Sequence, residues 1–390
     1  VNDRVIYLKG GRAIEEARRL FPRLGALPDG GPDKFLLAVL FHAREAAFRL
    51  ASFGPRTERM SLSGREVVEY GARSTDASRV TRRLAFFRAA FDFLLDTVRF
   101  RPRRVLCGVD GPFALLAWAA ARLVGAQFIF LAHNALALPT TSSIYRRAHR
   151  FVCRRADLVI AHGPFVRDEA IRLGAAPAQV VEFNNALDPE HAALVQRLPA
   201  KSEDVSDTII LYMGRVEEDK GVLDLFHAFR QLNPRPDLQL RFVGNGSANG
   251  VLRQLVRQHR LQDRVEVLGP VEFESVFAHL KQATVVVTPS QSRFPEGFCK
   301  SAMEAFYVGT PVIAPNYGPF PYMVKHEENG LLYPPDDVAA LTQALQRYLD
   351  EDGLRSQLEQ GARRWGGIFM KPATTFANAI DRVFSQGPPR

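Results

Sequence analysis

At 390 residues the chain has room for two domains of ordinary size. With 46% apolar and 24% charged residues it is neither disordered nor collagen-like, and its three cysteines, Cys107, Cys153 and Cys299, are too few and too scattered for a disulfide framework or a cysteine-based zinc site. The net charge of +9 is local: residues 1–200 carry 30 basic and 19 acidic side chains, net +11, and the remainder 21 and 23, net −2, so the first half is the part expected to meet an acidic partner, whether nucleic acid, an anionic membrane surface or a phosphorylated ligand.

In chain order, residues 4–8 read as a short strand that ends at Gly10-Gly11, and 12–20 as a helix. The apolar run 34–42 reads as a buried strand, 43–52 as a helix and 66–70 as a third strand. Residues 78–100 read as a long helix, with Leu84, Phe87, Phe91, Leu94 and Val98 at helical spacing. Strands at 104–109, 127–131, 158–161 and 180–183 alternate with helices at 113–124, 145–155 and 164–173. The stretch 189–207 contains Pro199, Lys201, Ser202 and Ser206, has no strong period and coincides with the change in charge, so it reads as a linker. The alternation then restarts, with strands at 208–213, 239–243, 265–268, 284–288, 311–314 and 330–333. Helices are expected at 221–232, 248–259, 272–282, 298–308, 338–348, 354–365 and 374–384.

The expected organisation is a first domain over 1–188, a linker over 189–207 and a second domain over 208–371. A C-terminal helix within 372–390 is expected to pack back on the first domain. Buried strands alternating with helices imply parallel sheets covered on both faces. Ligands of such sheets sit beyond the carboxyl ends of the strands, so two α/β units facing across a cleft make that cleft the expected site. No basic-then-apolar leader opens the sequence, and the apolar stretch 111–131 is broken by Arg122, Gly125 and Gln127. It reads as a helix plus a strand and not as a membrane span, and the expected location is cytoplasmic, with peripheral attachment to the inner membrane face as an option.

The segment from Pro289 to Phe306 carries the most chemistry. It leads from a strand into a helix expected to begin near Phe298, and unpaired amides at a helix N-terminus bind phosphate. Glu296 lies before that amide cluster and Glu304 inside the helix. Eight helical residues rise ~12 Å, about the span from a sugar across a diphosphate to a ribose. The two carboxylates could accept hydroxyl hydrogen bonds at either end, with the amides of Phe298, Cys299 and Lys300 on the phosphate between them. The plainer alternative is a solvated acidic helix start. Arg215 and Lys220 follow the first strand of the same half, where two cations could neutralise a diphosphate or pair with Glu217, Glu218 or Asp219. Val243-Gly244-Asn245-Gly246 also follows a strand, and taken alone reads as a tight turn. The nine histidines show no metal-ligand spacing and no Asp-x-Asp pair follows a strand, so neither a metal nor a cofactor is expected.

Taken in this order, Gly214-Arg215, Lys220-Gly221, Val243 to Gly246, Pro289-Ser290 leading to Glu296 and Glu304, Gly309 to Ala314 and Asn329-Gly330-Leu331-Leu332 resemble the retaining glycosyltransferases of family 4. The resemblance implies the GT-B fold, two Rossmann-like doubly wound parallel-sheet domains facing a cleft. It implies an enzyme that moves a sugar from a nucleotide-diphosphate sugar to a hydroxyl acceptor, a sugar or lipid-linked sugar, in polysaccharide or glycolipid synthesis. Arg215 and Lys220 would grip the diphosphate, Glu296 the donor sugar and Glu304 the ribose, with Gly244 also among the donor-binding residues. His133, at a strand end in Ala132-His133-Asn134, would face the donor sugar, and Gly10 and Gly11 would let backbone approach the phosphates. Asn185-Ala186-Leu187-Asp188 resembles the family's element before the linker, with Ala186 in place of its usual glycine. The alternatives are a nucleotide-sugar epimerase on the same fold and a non-catalytic sugar-nucleotide-binding protein. The arginine clusters at 79–88 and 146–155 read as solvated helix faces or as a surface for anionic lipid; no nucleic-acid recognition motif accompanies them.

Overall fold

A computed structural model describes residues 3–20, 35–44, 46–62, 64–72, 79–185, 189–198, 208–370 and 373–385. The chain divides into two compact units. The first holds Val1–Ala137, Thr141–Asn184 and Ala373–Arg390; the second holds Leu138–Thr140 and Asn185–Pro372.

The first unit runs β1 (Arg4–Lys9), α1 (Ala13–Leu20), α2 (Phe35–His42), β2 (Ala47–Gly54), β3 (Glu58–Leu62), β4 (Arg65–Gly71), α3 (Arg79–Phe100), β5 (Arg104–Gly108), α4 (Pro112–Leu123), β6 (Gln127–Ala132), α5 (Ser143–Arg155), β7 (Leu158–His162), α6 (Gly163–Arg172) and β8 (Val180–Phe183). Its eight strands lie in the order β3-β4-β2-β1-β5-β6-β7-β8. The pairs are parallel apart from the antiparallel hairpin of β3 with β4. The central strands are apolar on both faces because helices cover both. On one face Leu36, Leu37 and Leu40 of α2 share a buried core with Leu50, Ile129 and Leu131. On the other, Phe93 of α3 and Phe113 of α4 meet Phe53 of β2 at ring distances of 5.7 and 4.4 Å.

Two expected elements are reversed. Residues 34–42 read as a strand but Phe35–His42 is helical, and 43–52 read as a helix but Ala47–Gly54 is a strand. A run of eight mostly apolar residues has no period to choose between the two, and burial decides it. α2 is covered by the sheet and by the C-terminal helix, so every side of it can be apolar. β2 lies between β1 and β4 and even buries Arg49, whose guanidinium bonds Glu66 and the Asp96 carbonyl. Strand β3 was not expected, since ERMSL alternates without a strong apolar face.

The second unit runs α7 (Pro189–Arg197), β9 (Thr208–Met213), α8 (Val222–Gln231), β10 (Leu238–Val243), α9 (Asn249–Gln258), β11 (Val265–Gly269), α10 (Phe273–Gln282), β12 (Val285–Val287), α11 (Lys300–Tyr307), β13 (Val312–Pro315), α12 (Phe320–Met323), β14 (Gly330–Tyr333), α13 (Val338–Asp350) and α14 (Leu354–Met370). Its sheet is wholly parallel in the order β11-β10-β9-β12-β13-β14, with an apolar core on each face. Strand order reverses between β9 and β12, and ligands of doubly wound sheets sit beyond the strand ends at such a switch point. The expected linker opens instead with the helix α7; residues 199–207, and Ala186 to Asp188 of the Asn-Ala-Leu-Asp element, lie outside the described residues.

The last helix, α15 (Phe376–Ser385), belongs to the first unit and packs on α2. Its buried Phe376, Ala379, Ile380 and Val383 follow the spacing of one helical face. Burying Phe376 and Ile380 contributes about 1.5–3 kcal/mol each.

Candidate active site

The carboxyl ends of β9 and β12 open on a cavity of about 240 Å³. Arg215, Lys220, Glu296, Phe298, Cys299, Lys300 and Glu304 all line it, together with Tyr212, Thr288, Ser290 and Ser301. Seven residues singled out from the sequence therefore meet at one place, the switch point of the second unit.

Backbone crossings set the geometry. Gly221 has φ +70°, and a β-carbon there would lie 1.9 Å from the Pro289 carbonyl oxygen. The loop after β9 thus crosses the loop after β12 in contact, which only glycine allows. The crossing brings Lys220 to Glu296, Nζ to Oε2 at 2.5 Å. Ser290 Oγ donates to the same oxygen at 3.1 Å. Glu296 is 7% exposed, so its charge is held by a cation and a hydroxyl rather than by water. Lys220 does not pair with Glu217, Glu218 or Asp219. Glu218 is taken by Arg293 at 2.9 Å, and Glu217 by Ser247.

Phe294 had no role in the sequence reading. Its ring centroid lies 3.9 Å from Lys220 Nζ and 5.3 Å from the Arg215 guanidinium carbon, so one aromatic ring supports both cations. Tyr212 was also missed; its hydroxyl donates to the Arg215 carbonyl, fixing the turn that carries that side chain. Phe294 sits in a Ser-Arg-Phe-Pro-Glu loop whose aromatic residue has no helical or strand period to flag it.

Helix α11 starts at Lys300, two residues later than expected, with Cys299 at its N-cap and no side chain capping it. Its first amides therefore stand at the cavity wall, at the positive end of the helix dipole. Lys300 reaches Glu304 one turn on, 3.2 Å away, and Glu304 is 7% exposed. The Cys299 thiol is pushed up to about 11 by burial and by the neighbouring Glu296, which keeps it protonated.

Gly244 does not line this cavity. It has φ +138°, and a β-carbon would stand 1.7 Å from the Gly214 carbonyl oxygen, so it allows the β9 and β10 loop ends to touch. Its role is to shape the turn that carries Arg215. Gly10, Gly11 and His133 lie in the first unit, at the ends of β1 and β6. The His133 ring stacks on Phe35 at 4.3 Å and lies 6.0 Å from both Phe183 and Phe376. Neither ring nitrogen has a hydrogen-bond partner among the described residues. Burial pushes its pKa down to about 4, so the imidazole is neutral at pH 7. Among the described residues no group of three or more His, Cys, Asp or Glu could hold a metal ion.

Comparison with known proteins places both halves. A family model described as "Glycosyl transferases group 1" matches residues 196–365, and one described as "Glycosyl transferase 4-like domain" matches 35–186. Glycogen synthase of Mycobacterium tuberculosis is 27% identical over 229 residues, 57% of this chain and 54% of that enzyme, so the chain spans about half the length of this relative. The alpha-D-kanosaminyltransferase of Streptomyces kanamyceticus is 25% identical, covering 66% of this chain and 70% of its own. Among solved structures, Anabaena HepE in complex with UDP superimposes with a TM-score of 0.66 at 16% identity, over 98% of each chain.

Proposed function

We propose that this chain, which belongs to the family-4 glycosyltransferases of GT-B fold, moves a sugar from a nucleoside-diphosphate donor to a hydroxyl acceptor with retention at the anomeric carbon and without a metal ion. The observation that carries the reading is the meeting of Arg215, Lys220, Glu296, Glu304 and the uncapped start of α11 around one cavity.

In this reading the donor diphosphate lies at the α11 amides, with Arg215 and Lys220 on its oxygens. Charge grows on the leaving phosphate as the glycosidic bond breaks, and preorganised cations and amides stabilise it without solvent reorganisation. Those groups do the work a divalent ion does elsewhere. Glu304 accepts from the ribose hydroxyls and Glu296 from hydroxyls of the sugar. The acceptor hydroxyl attacks on the face the phosphate leaves, and a leaving phosphate oxygen takes its proton. Lys220 therefore has two states: paired with Glu296 when the site is empty, and shared with the diphosphate when it is filled.

The first test is a thermal-shift and calorimetric screen of UDP, GDP and ADP. UDP is the first choice because the HepE structure was solved with it. A ligand at 100 times its Kd stabilises by about 2.7 kcal/mol. Donor turnover followed by NMR of the product anomer then separates the possibilities. Transfer with retention supports the reading. Free sugar-nucleotide with an inverted ring carbon identifies an epimerase, and binding with no turnover on any donor identifies a non-catalytic binder.

A further inference from the structure

We propose that the outer face of helices α3, α4 and α5 in the first unit is a docking surface for an anionic lipid bilayer. Helix α3 turns Phe93 and Thr97 inward, and the opposite crest, by the 3.6-residue period, carries Leu84, Phe87, Phe91 and Val98. These four are 64%, 66%, 64% and 36% exposed. A surface helix ordinarily shows its polar side to water; this one shows its apolar side, flanked by exposed Arg83 and Arg88. The acidic Asp96 points the other way, onto Arg59 and Tyr70.

Helix α5 supplies the charge. It has five arginines and no acidic residue. Ala148, His149, Val152 and Cys153 are its buried side, so Arg147, Arg150 and Arg154 form the crest. Ile144 at its start is 65% exposed. Helix α4 packs between the two, touching α5 through Trp118 and Phe151 at 4.7 Å, and adds Leu123, 66% exposed.

Both properties are needed to choose the occupant. Leucine and phenylalanine side chains gain by entering the boundary between headgroups and acyl chains, and guanidinium groups gain beside lipid phosphates. Nucleic acid would satisfy the arginines and leave the crest of α3 in water. A second copy of the chain would set arginine against arginine. No helix among the described residues is long and apolar enough to cross a membrane, so α3 would lie in the plane of the surface.

Co-sedimentation of the full chain with phosphatidylcholine vesicles, with and without one-third phosphatidylglycerol, tests this. Binding is expected on the anionic vesicles only, and added salt should weaken it. Arg147→Ala with Arg150→Ala should lower the partition about 30-fold, from ~1 kcal/mol per basic residue at such a surface. Phe87→Ser with Phe91→Ser should also lower it, while leaving the melting temperature and the UDP-induced shift unchanged, since both rings are exposed. Phe91→Trp should gain a blue-shifted emission on anionic vesicles alone. Equal partition onto neutral vesicles, none onto either, indifference to both double variants, self-association that buries the Trp, or displacement of vesicles by single-stranded nucleic acid would each overturn the proposal.

Discussion

Lys220→Ala probes the proposed site through two independent readouts. The Lys220 and Glu296 side chains are 15% and 9% exposed and bond at 2.5 Å. Truncating the lysine leaves Glu296 with the Ser290 hydroxyl as its remaining hydrogen-bond donor in this site. Breaking a fully buried pair costs about 3–5 kcal/mol and an exposed one about 0–1. This pair lines an open cavity and falls between, at about 2 kcal/mol. For a unit near 200 residues that is a fall of ~4–8 °C in Tm. In turnover, loss of one charge-stabilising donor costs about 10²-fold or more. The double variant Lys220→Ala/Glu296→Gln separates the effects: it removes the orphaned charge, so Tm recovers, but turnover stays low. Scanning calorimetry and steady-state kinetics on the same preparations measure both. A near wild-type rate in Lys220→Ala would refute the assignment of Lys220 to the diphosphate, and an unchanged Tm would refute the energetic reading of the pair.

Arg215→Ala should also lower turnover by about 10²-fold, with less effect on Tm because Arg215 forms no ion pair among the described residues. Glu304→Ala should chiefly raise the Kd for nucleoside diphosphate, measured by calorimetry, whereas Glu296→Ala should chiefly lower kcat. Activity should survive excess EDTA; loss on chelation and recovery with magnesium or manganese would contradict a metal-free reaction. His133 is neutral when folded and takes a proton on unfolding below about pH 6.5, so stability should fall as pH drops from there to about 4. The slope is up to about 1.4 kcal/mol per pH unit, and His133→Leu should flatten it in urea titrations at several pH values.

The second half was legible because its strands and helices differ in kind. Residues 208–213, 239–243 and 284–288 are short runs rich in aliphatic and aromatic residues, each ended by Gly214, Gly244 or Pro289, and the helices between them alternate charge with apolar residues. The first half misled at 34–52, where periodicity is weak and long-range partners decide. α2 is apolar all round because α15, more than 330 residues later, covers the side the sheet does not. β2 contains Arg49, a residue no strand interior accepts without the bonds that Glu66 and Asp96 provide. Neither fact can be read from a local window.

The site followed the same division. Glu296, Glu304, Arg215 and Lys220 were findable because each lies in the loop that follows a strand or inside the helix after it, so topology carries them to the switch point. Phe294 and Tyr212 were not, because their work is to hold those four in place, and a residue that acts through a neighbour has no sequence signature of its own. Gly244 stands apart from them: counted with the donor-binding residues, it does not line the cavity, and its missing side chain makes room for the Gly214 carbonyl. Gly221 makes room for the Pro289 carbonyl in the same way, but the atoms it brings together are Lys220 and Glu296. Two glycines that each make room for a carbonyl oxygen thus differ in whether the backbone crossing they permit delivers charges to the cavity. Gly221→Ala should therefore act on turnover as well as stability, and Gly244→Ala on turnover only through the turn that carries Arg215.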